Sequence, residues 1–151
     1  IVNTFKISSN SRIIIWNRNI NIFEDGEESR DFVYIDDIVN ATILALESPN
    51  ANYHSYNVGS GKNISVLEIA TKLKGLYNSD VQINITGNYR IGDIRHNYAD
   101  LTQINKDLHF EAQHGFVDGI DKFVTWVNTQ QTNTDLYSKS IDELKQRGLY
   151  K

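Results

Sequence analysis

The chain has 151 residues, 40% hydrophobic and 23% charged, with 15 Lys and Arg against 19 Asp and Glu. That is a one-domain length with ordinary globular composition, which excludes disordered, collagenous and coiled-coil classes. Its net charge of −4 argues against non-specific nucleic-acid binding. No apolar run reaches the roughly 18 residues of a membrane span and no secretory leader is visible, so a cytoplasmic protein is expected. Cys is absent, which removes disulfides, thiolate zinc sites and cysteine nucleophiles. Met is absent too, so the chain is expected to be processed or part of something longer.

Residues 1–19 read equally as helix or, at Ile13-Ile14-Ile15-Trp16, as strand. Ile20 and Ile22 alternate with Asn21, which predicts a short strand closed by the turn residues Glu24-Asp25-Gly26. Asp31 to Ile35 is β-rich, and Asp36-Asp37 offers a helix cap and first-turn negative charge. Ile38, Ala41, Thr42, Ala45 and Leu46 predict a helix stopped by Pro49. Tyr53 to Val58 reads as a strand entering Gly59-Ser60-Gly61. Ser65 and Glu68 form a capping box, followed by the helical spacing of Val66, Ile69, Ala70, Leu73 and Leu76. Val81, Ile83 and Ile85 predict a half-buried strand; Asp100 to Leu108 and Gly115 to Gln130 predict helices. Ser140 and Glu143 suggest a second capping box for a helix through Arg147. The alternation of strands and helices predicts an α/β layered fold with parallel pairing.

Three places concentrate polar groups. Arg30, just before an expected buried strand, either forks onto a phosphate or neutralises Glu27, Glu28 or Asp36. In Tyr89 to Asp100, Arg90 and Asp93 either hold the diphosphate and ribose of a nucleotide or pair with each other, and Asp100 reads as a helix cap. His96 is a general-base candidate or a structural histidine. Gly59-Ser60-Gly61-Lys62 resembles a phosphate cradle, but its spacing fits neither glycine motif, so a tight turn is the better reading. His54, His96, His109 and His114 are scattered, so no metal site is expected.

Phe23-Glu24-Asp25-Gly26 with Ser29 to Asp37 resembles a signature of the extended short-chain dehydrogenase/reductase superfamily. So does Tyr56 to Gly61 followed by Ser65 to Glu68. Gly92-Asp93-Ile94-Arg95-His96 with Ala99-Asp100 resembles the corresponding block of its nucleotide-sugar 4-epimerases, nearest to those acting on UDP-glucose and UDP-N-acetylglucosamine. The blocks stand in family order over roughly Ile20 to Trp126. The resemblance implies an NAD-dependent enzyme that oxidises the sugar 4-hydroxyl to a ketone and returns hydride to the other face. It implies substrate contacts from Arg30 and Arg90 to the diphosphate and from Asp93 to the ribose, with His96 and Asn97 as weaker candidates. Asn97 stands where some members carry an aromatic.

The family's N-terminal glycine motif and Tyr-x-x-x-Lys pair have no counterpart here; Tyr34, for example, has Ile38 at that offset. The implied architecture is therefore a C-terminal substrate-binding lobe plus the last strand–helix elements of a Rossmann-like sheet, with the NAD-binding half missing. Its expected regions are a boundary segment 1–19, a nucleotide-sugar-binding region 20–130 and a C-terminal helix 131–151. No residue of this chain is expected to be catalytic, NAD is not expected to bind it tightly, and exposed edges at Phe32-Val33 and Tyr56-Val58 are expected to drive self-association. A UDP-sugar is the expected ligand, with neither nucleic acid nor membrane as partner. The rival readings are a non-catalytic nucleotide-sugar-binding remnant and an α/β assembly domain.

Overall fold

The computed structural model describes residues 11–130 and 137–150. The first ten residues of the expected boundary segment, and residues 131–136 and 151 of the expected C-terminal region, lie outside the described residues. The fold separates into two compact units, each assembled from discontinuous sequence. The first takes residues 1–28, 65–95 and 123–151; the second takes 29–64 and 96–122.

In the first unit residues 11–15 are helical, which decides the Ile-Ile-Ile run as helix. Two of its isoleucines, Ile13 and Ile14, are buried. Strands β1 (Ile20–Ile22) and β4 (Ile83–Ile85) pair in parallel, with Ile20 opposite Ile83. Ile20 and Ile22 are buried, while Asn21 and its register partner Asn84 join their amides at 3.1 Å on the exposed side. The alternation expected from sequence is thus the alternation of faces along a strand. At the following turn Gly26 has φ +84°, and a Cβ there would lie 3.3 Å from the Leu67 Cβ. Helix α2 (Val66–Leu76) begins at the expected capping box: the Ser65 hydroxyl accepts from the Glu68 N–H at 3.1 Å, and the Ser65 N–H donates to the Glu68 carboxylate at 2.8 Å. It lies against β1 and buries Ile69, Ala70 and Leu73.

In the second unit β3 (Asn63–Ser65), β2 (Ser29–Asp31) and β5 (His96–Asn97) form a sheet in the order β3-β2-β5. β2 and β5 run parallel, pairing Ser29 with His96 and Arg30 with Asn97. Helix α1 (Ile35–Glu47) has Asp36 and Asp37 in its first turn and is followed by a 3-10 turn at Pro49–Ala51. Its Ala41 joins Ile104, Leu108 and Phe110 in a core, with Ile104 and Leu108 supplied by α3 (Thr102–Leu108). Leu101, not the expected Asp100, takes the N-cap position of α3; Asp100 stands one residue earlier and accepts the Thr102 N–H at 2.9 Å. Helix α4 (Phe116–Thr129) gives its first turns to this unit and the rest to the first; α5 (Tyr137–Gln146) belongs to the first.

Four further expectations fail. Asp31 to Ile35 is not a continuous strand: β2 ends at Asp31, because Tyr34 already takes the N-cap position of α1. Tyr34 occupies that cap with no side-chain hydrogen bond, so neither Asp36 nor Asp37 is the cap. Tyr53 to Val58 forms no strand; Tyr56 and Val58 instead pack against the second unit's core, and Phe32 and Val33 are half-buried, so these are not bare edges. Ser140 lies inside α5, so it cannot cap it.

The hub of the second unit is the Asp31 carboxylate. One oxygen accepts the Ser60 N–H at 2.7 Å and its hydroxyl at 2.6 Å; the other accepts the N–H groups of Gly61 at 2.9 Å and Ala99 at 3.3 Å. Gly59 is required by this approach, since a Cβ would overlap the Asp31 carboxylate and come within 2.6 Å of the Ala99 Cβ. Asp31→Ala orphans several partly buried donors, and a loss of about 2–3 kcal/mol in urea unfolding is expected. Gly59→Ala should cost about 1–3 kcal/mol by overpacking, checked by the same unfolding curves.

Candidate functional site

The candidate residues fall in both units. In the second, the parallel pairing of β2 with β5 brings together Arg30, His96 and Asn97. Arg30 is buried, and its Nη1 donates to the Ser29 carbonyl at 2.7 Å, which anchors the guanidinium on its own strand. His96 meets the Ser29 hydroxyl through Nδ1 at 2.9 Å. Ser29 is buried, so this contact ties two neighbouring strands together and fixes the ring. Asn97, the register partner of Arg30, is exposed.

In the first unit Arg90 and Asp93 share one tight turn. The Asp93 N–H returns to the Arg90 carbonyl at 3.2 Å, and Gly92 supplies φ +84°. The side chains approach at 3.5 Å, with exposures of 33% and 35%. The mutual ion pair, one of the two readings of the sequence, is therefore present, and a pair this exposed is weak enough for a ligand to open. The Arg90 guanidinium lies 5.2 Å from the Phe23 ring centre. Arg95 bridges the neighbouring turn, reaching Glu24 at 2.9 Å and Asp25 at 2.5 Å. That contact holds the Asp25 carboxyl below the usual range and leaves Arg95 more firmly protonated.

Three arrangements escape a reading of the sequence. The first is the Asp31 hub. Its signal was available: a carboxylate two residues from Ser29, and a glycine loop whose spacing fits no phosphate motif. The second is Asp37, 1% exposed in α1. It accepts the N–H groups of Gln113 and His114 at 3.0 and 3.1 Å and meets the His114 ring at 3.0 Å. His114 in turn packs on the Tyr34 ring at 4.7 Å, with Lys122 over that ring at 4.7 Å. The third is Tyr150, whose backbone pairs antiparallel with Arg90. Among the described residues no group of three metal-ligating side chains converges, and no helix is long and apolar enough to cross a membrane.

Comparison with known proteins identifies the setting. The profile of the NAD dependent epimerase/dehydratase family matches residues 4–59. The chain is 32% identical over 118 residues to a dTDP-L-rhamnose 4-epimerase of Burkholderia thailandensis, covering 78% of the chain and 32% of that protein. It is 34% identical over 119 residues to a UDP-glucuronate 4-epimerase of Thermodesulfobacterium geofontis, covering 76% and 36%. Among solved structures, a UDP-glucose 4-epimerase of Thermotoga maritima with UDP-glucose superposes with a TM-score of 0.72 at 28% identity, over 79% of the chain and 38% of that structure. The chain thus spans about a third of the length of the curated relatives it matches.

Among the described residues, the glycine loop at 59–61 does not fit the pyrophosphate of the dinucleotide in the family's description. A pyrophosphate needs free backbone N–H donors on a glycine turn. The glycine pair here, Gly59 and Gly61, flanks donors already directed at a carboxylate, since Ser60 and Gly61 both give their N–H groups to Asp31.

Burial pushes the Asp37 carboxyl up, but the hydrogen bonds from Gln113 and His114 outweigh it and hold the group below its ordinary value. A carboxyl depressed in the fold contributes stability above its unfolded value, near pH 4, and loses it as pH falls through the folded value. The urea midpoint should therefore drop below about pH 4. Asp37→Asn should lower the midpoint at neutral pH and flatten that acid limb; an unchanged limb would show that Asp37 does not carry it.

Proposed function

We propose that the chain is a member of the NAD dependent epimerase/dehydratase family, the nucleotide-sugar-binding part of a sugar 4-epimerase whose redox half lies outside this sequence. The observation that carries the reading is the turn at residues 90–93. It presents a guanidinium and a carboxylate together, half open to solvent, in a chain whose relatives are nucleotide-sugar 4-epimerases.

In this reading Arg90 contacts the diphosphate, because a guanidinium matches phosphate oxygens in a two-bond fork, and Arg30 of the second unit is a phosphate candidate by the same chemistry. Asp93 accepts from ribose hydroxyls, which requires it to leave Arg90 as the phosphate arrives. Each arginine is steadied before the ligand comes, Arg30 by the Ser29 carbonyl and Arg90 by the Phe23 ring. The chain binds and orients the nucleotide sugar, within residues 20–130, and moves no hydride or proton itself. A uridine nucleotide is the first choice of base; the Burkholderia relative, which is named for a dTDP-sugar, makes thymidine the second.

Calorimetric titration of the purified chain with UDP and UDP-glucose tests this. Binding is expected, with Arg90→Gln weakening it roughly tenfold or more. Asp93→Asn should weaken UDP relative to inorganic pyrophosphate, which loses no ribose contact and no longer competes with the carboxylate for Arg90. With NAD added, no interconversion of UDP-glucose and UDP-galactose is expected. Absence of UDP binding would reject the reading; measurable interconversion would reject the division of labour.

The same reading extends to self-association, through a different face from the strand edges expected from sequence. Ile35, Val39, Ile43 and Leu46 follow one another along α1 at helical spacing, and all are exposed, Leu46 by 81%. Exposed apolar faces of this kind mark interfaces. Light scattering at tens of micromolar should show species larger than a monomer, and Leu46→Glu should reduce them. A wild-type monomer would remove this part of the proposal.

A further inference from the structure

Tyr150 lies outside every motif that the family resemblance covers, yet it is built into the surroundings of Arg90. Its backbone forms an antiparallel bridge with Arg90, and the Ile91 N–H donates to the Leu149 carbonyl at 3.0 Å. Its hydroxyl accepts from the Asn88 amide at 2.9 Å. Its ring stands edge-on to Phe23, with centres 5.5 Å apart and planes at 80°. Phe23 is the ring on which the Arg90 guanidinium rests. Lys145, in the last turn of α5, places its ammonium 5.4 Å from the Tyr150 ring centre. The two aromatics and the two cations therefore form a stack in the order Lys145, Tyr150, Phe23, Arg90.

This stack has a direction. Arg90 is a long side chain with much rotamer freedom, and that freedom is lost on binding a ligand. A ring fixed beneath the guanidinium removes part of the cost beforehand. Phe23 alone does not supply that fixity, because it sits on the strand-to-turn connection just after β1. Tyr150 braces it by the edge-to-face contact, while the Leu149 carbonyl holds the Ile91 N–H just after Arg90. The Nε of Arg90 is buried with no hydrogen-bond partner among the described residues. An inward-turned Nε leaves the terminal nitrogens as the outward donors, and one of them already approaches Asp93 at 3.5 Å.

We propose that Tyr150 is a positioning residue for nucleotide diphosphate binding, acting through Phe23 on the Arg90 guanidinium. The proposal rests on the reading of Arg90 as a diphosphate contact. It adds that residues 149–150 and the last turn of α5 belong to the binding apparatus although they never meet the ligand.

A double-mutant cycle on the whole chain tests it, with UDP as the probe. Tyr150→Ala is expected to weaken UDP binding roughly three- to tenfold, in the lower part of the coupling seen between neighbouring groups. Tyr150→Phe, which keeps the ring and loses only the hydroxyl, should recover most of that loss. In an Arg90→Gln background Tyr150→Ala should change UDP affinity no further. A residue that merely stabilised the fold would shift both backgrounds alike. As a second readout, the Arg90 Nε–H resonance in nitrogen-edited NMR should be sharp in the wild type and lose its exchange protection in Tyr150→Ala. If Tyr150→Ala binds UDP as the wild type does while Arg90→Gln does not, the positioning role is overturned and the diphosphate reading stands. If Arg90→Gln also binds as the wild type does, or the wild type binds no UDP, the diphosphate reading falls and this inference with it.

Discussion

The second unit depends on one carboxylate. Asp31 ends β2 and, from there, gathers the Ser60 and Gly61 loop and the Ala99 N–H that follows β5. Four hydrogen bonds converge on two oxygens, which suits an ionised carboxylate with about four acceptor sites. Because Ser29 joins His96 side chain to side chain at the first register pair of β2 and β5 and Asp31 joins Ala99 just after the second, a strand pair only two residues deep is held at both ends. Arg30 and Asn97 stand between those two tethers, so their positions follow from contacts that they do not make.

The same arrangement changes the meaning of a sequence motif. A Gly-Ser-Gly-Lys run invites a phosphate, and its backbone donors are real. They are aimed inward, at a side chain of the chain itself, and Gly59 has no Cβ because that side chain comes so close. Two of the motifs that tie this chain to its family, the one around Arg30-Asp31 and the one at Asn57 to Gly61, are thus two halves of one structural contact. Ala99 of the third block completes it. What looks in the sequence like three separate pieces of chemistry is, in part, a single piece of architecture.

Local signals were legible. The Ser65–Glu68 box, the β1 alternation and the helices ending at Leu108 and near Gln130 all depend on neighbours within a few residues, and all appear. The failures have a common cause. Tyr53 to Val58 has strand composition, but Tyr56 finds Asp107 for its hydroxyl and the helical core for its ring, contacts more than fifty residues away that no local pattern encodes. Ser140 and Glu143 have the spacing of a cap, yet α5 starts three residues earlier, at Tyr137. For the site, the Arg90–Asp93 turn was readable because its parts are adjacent. Its Phe23 and Tyr150 support was not, because those residues come from opposite ends of the sequence.

The interleaving of the two units has a consequence for how the chain is made. The Asp31 carboxylate is synthesised 68 residues before its Ala99 donor, and Ser29 is 67 residues before His96. Segment 65–95, which belongs to the first unit, lies between. The second unit cannot close its sheet until residue 99 has left the ribosome, while α1 and its apolar stripe emerge long before. For that interval Ala41 of α1 has none of Ile104, Leu108 and Phe110 to pack against, the condition under which chaperones are recruited and neighbouring chains entangle. Long-range parallel pairing of this kind also folds slowly once complete, because the loop must close before its contacts can form.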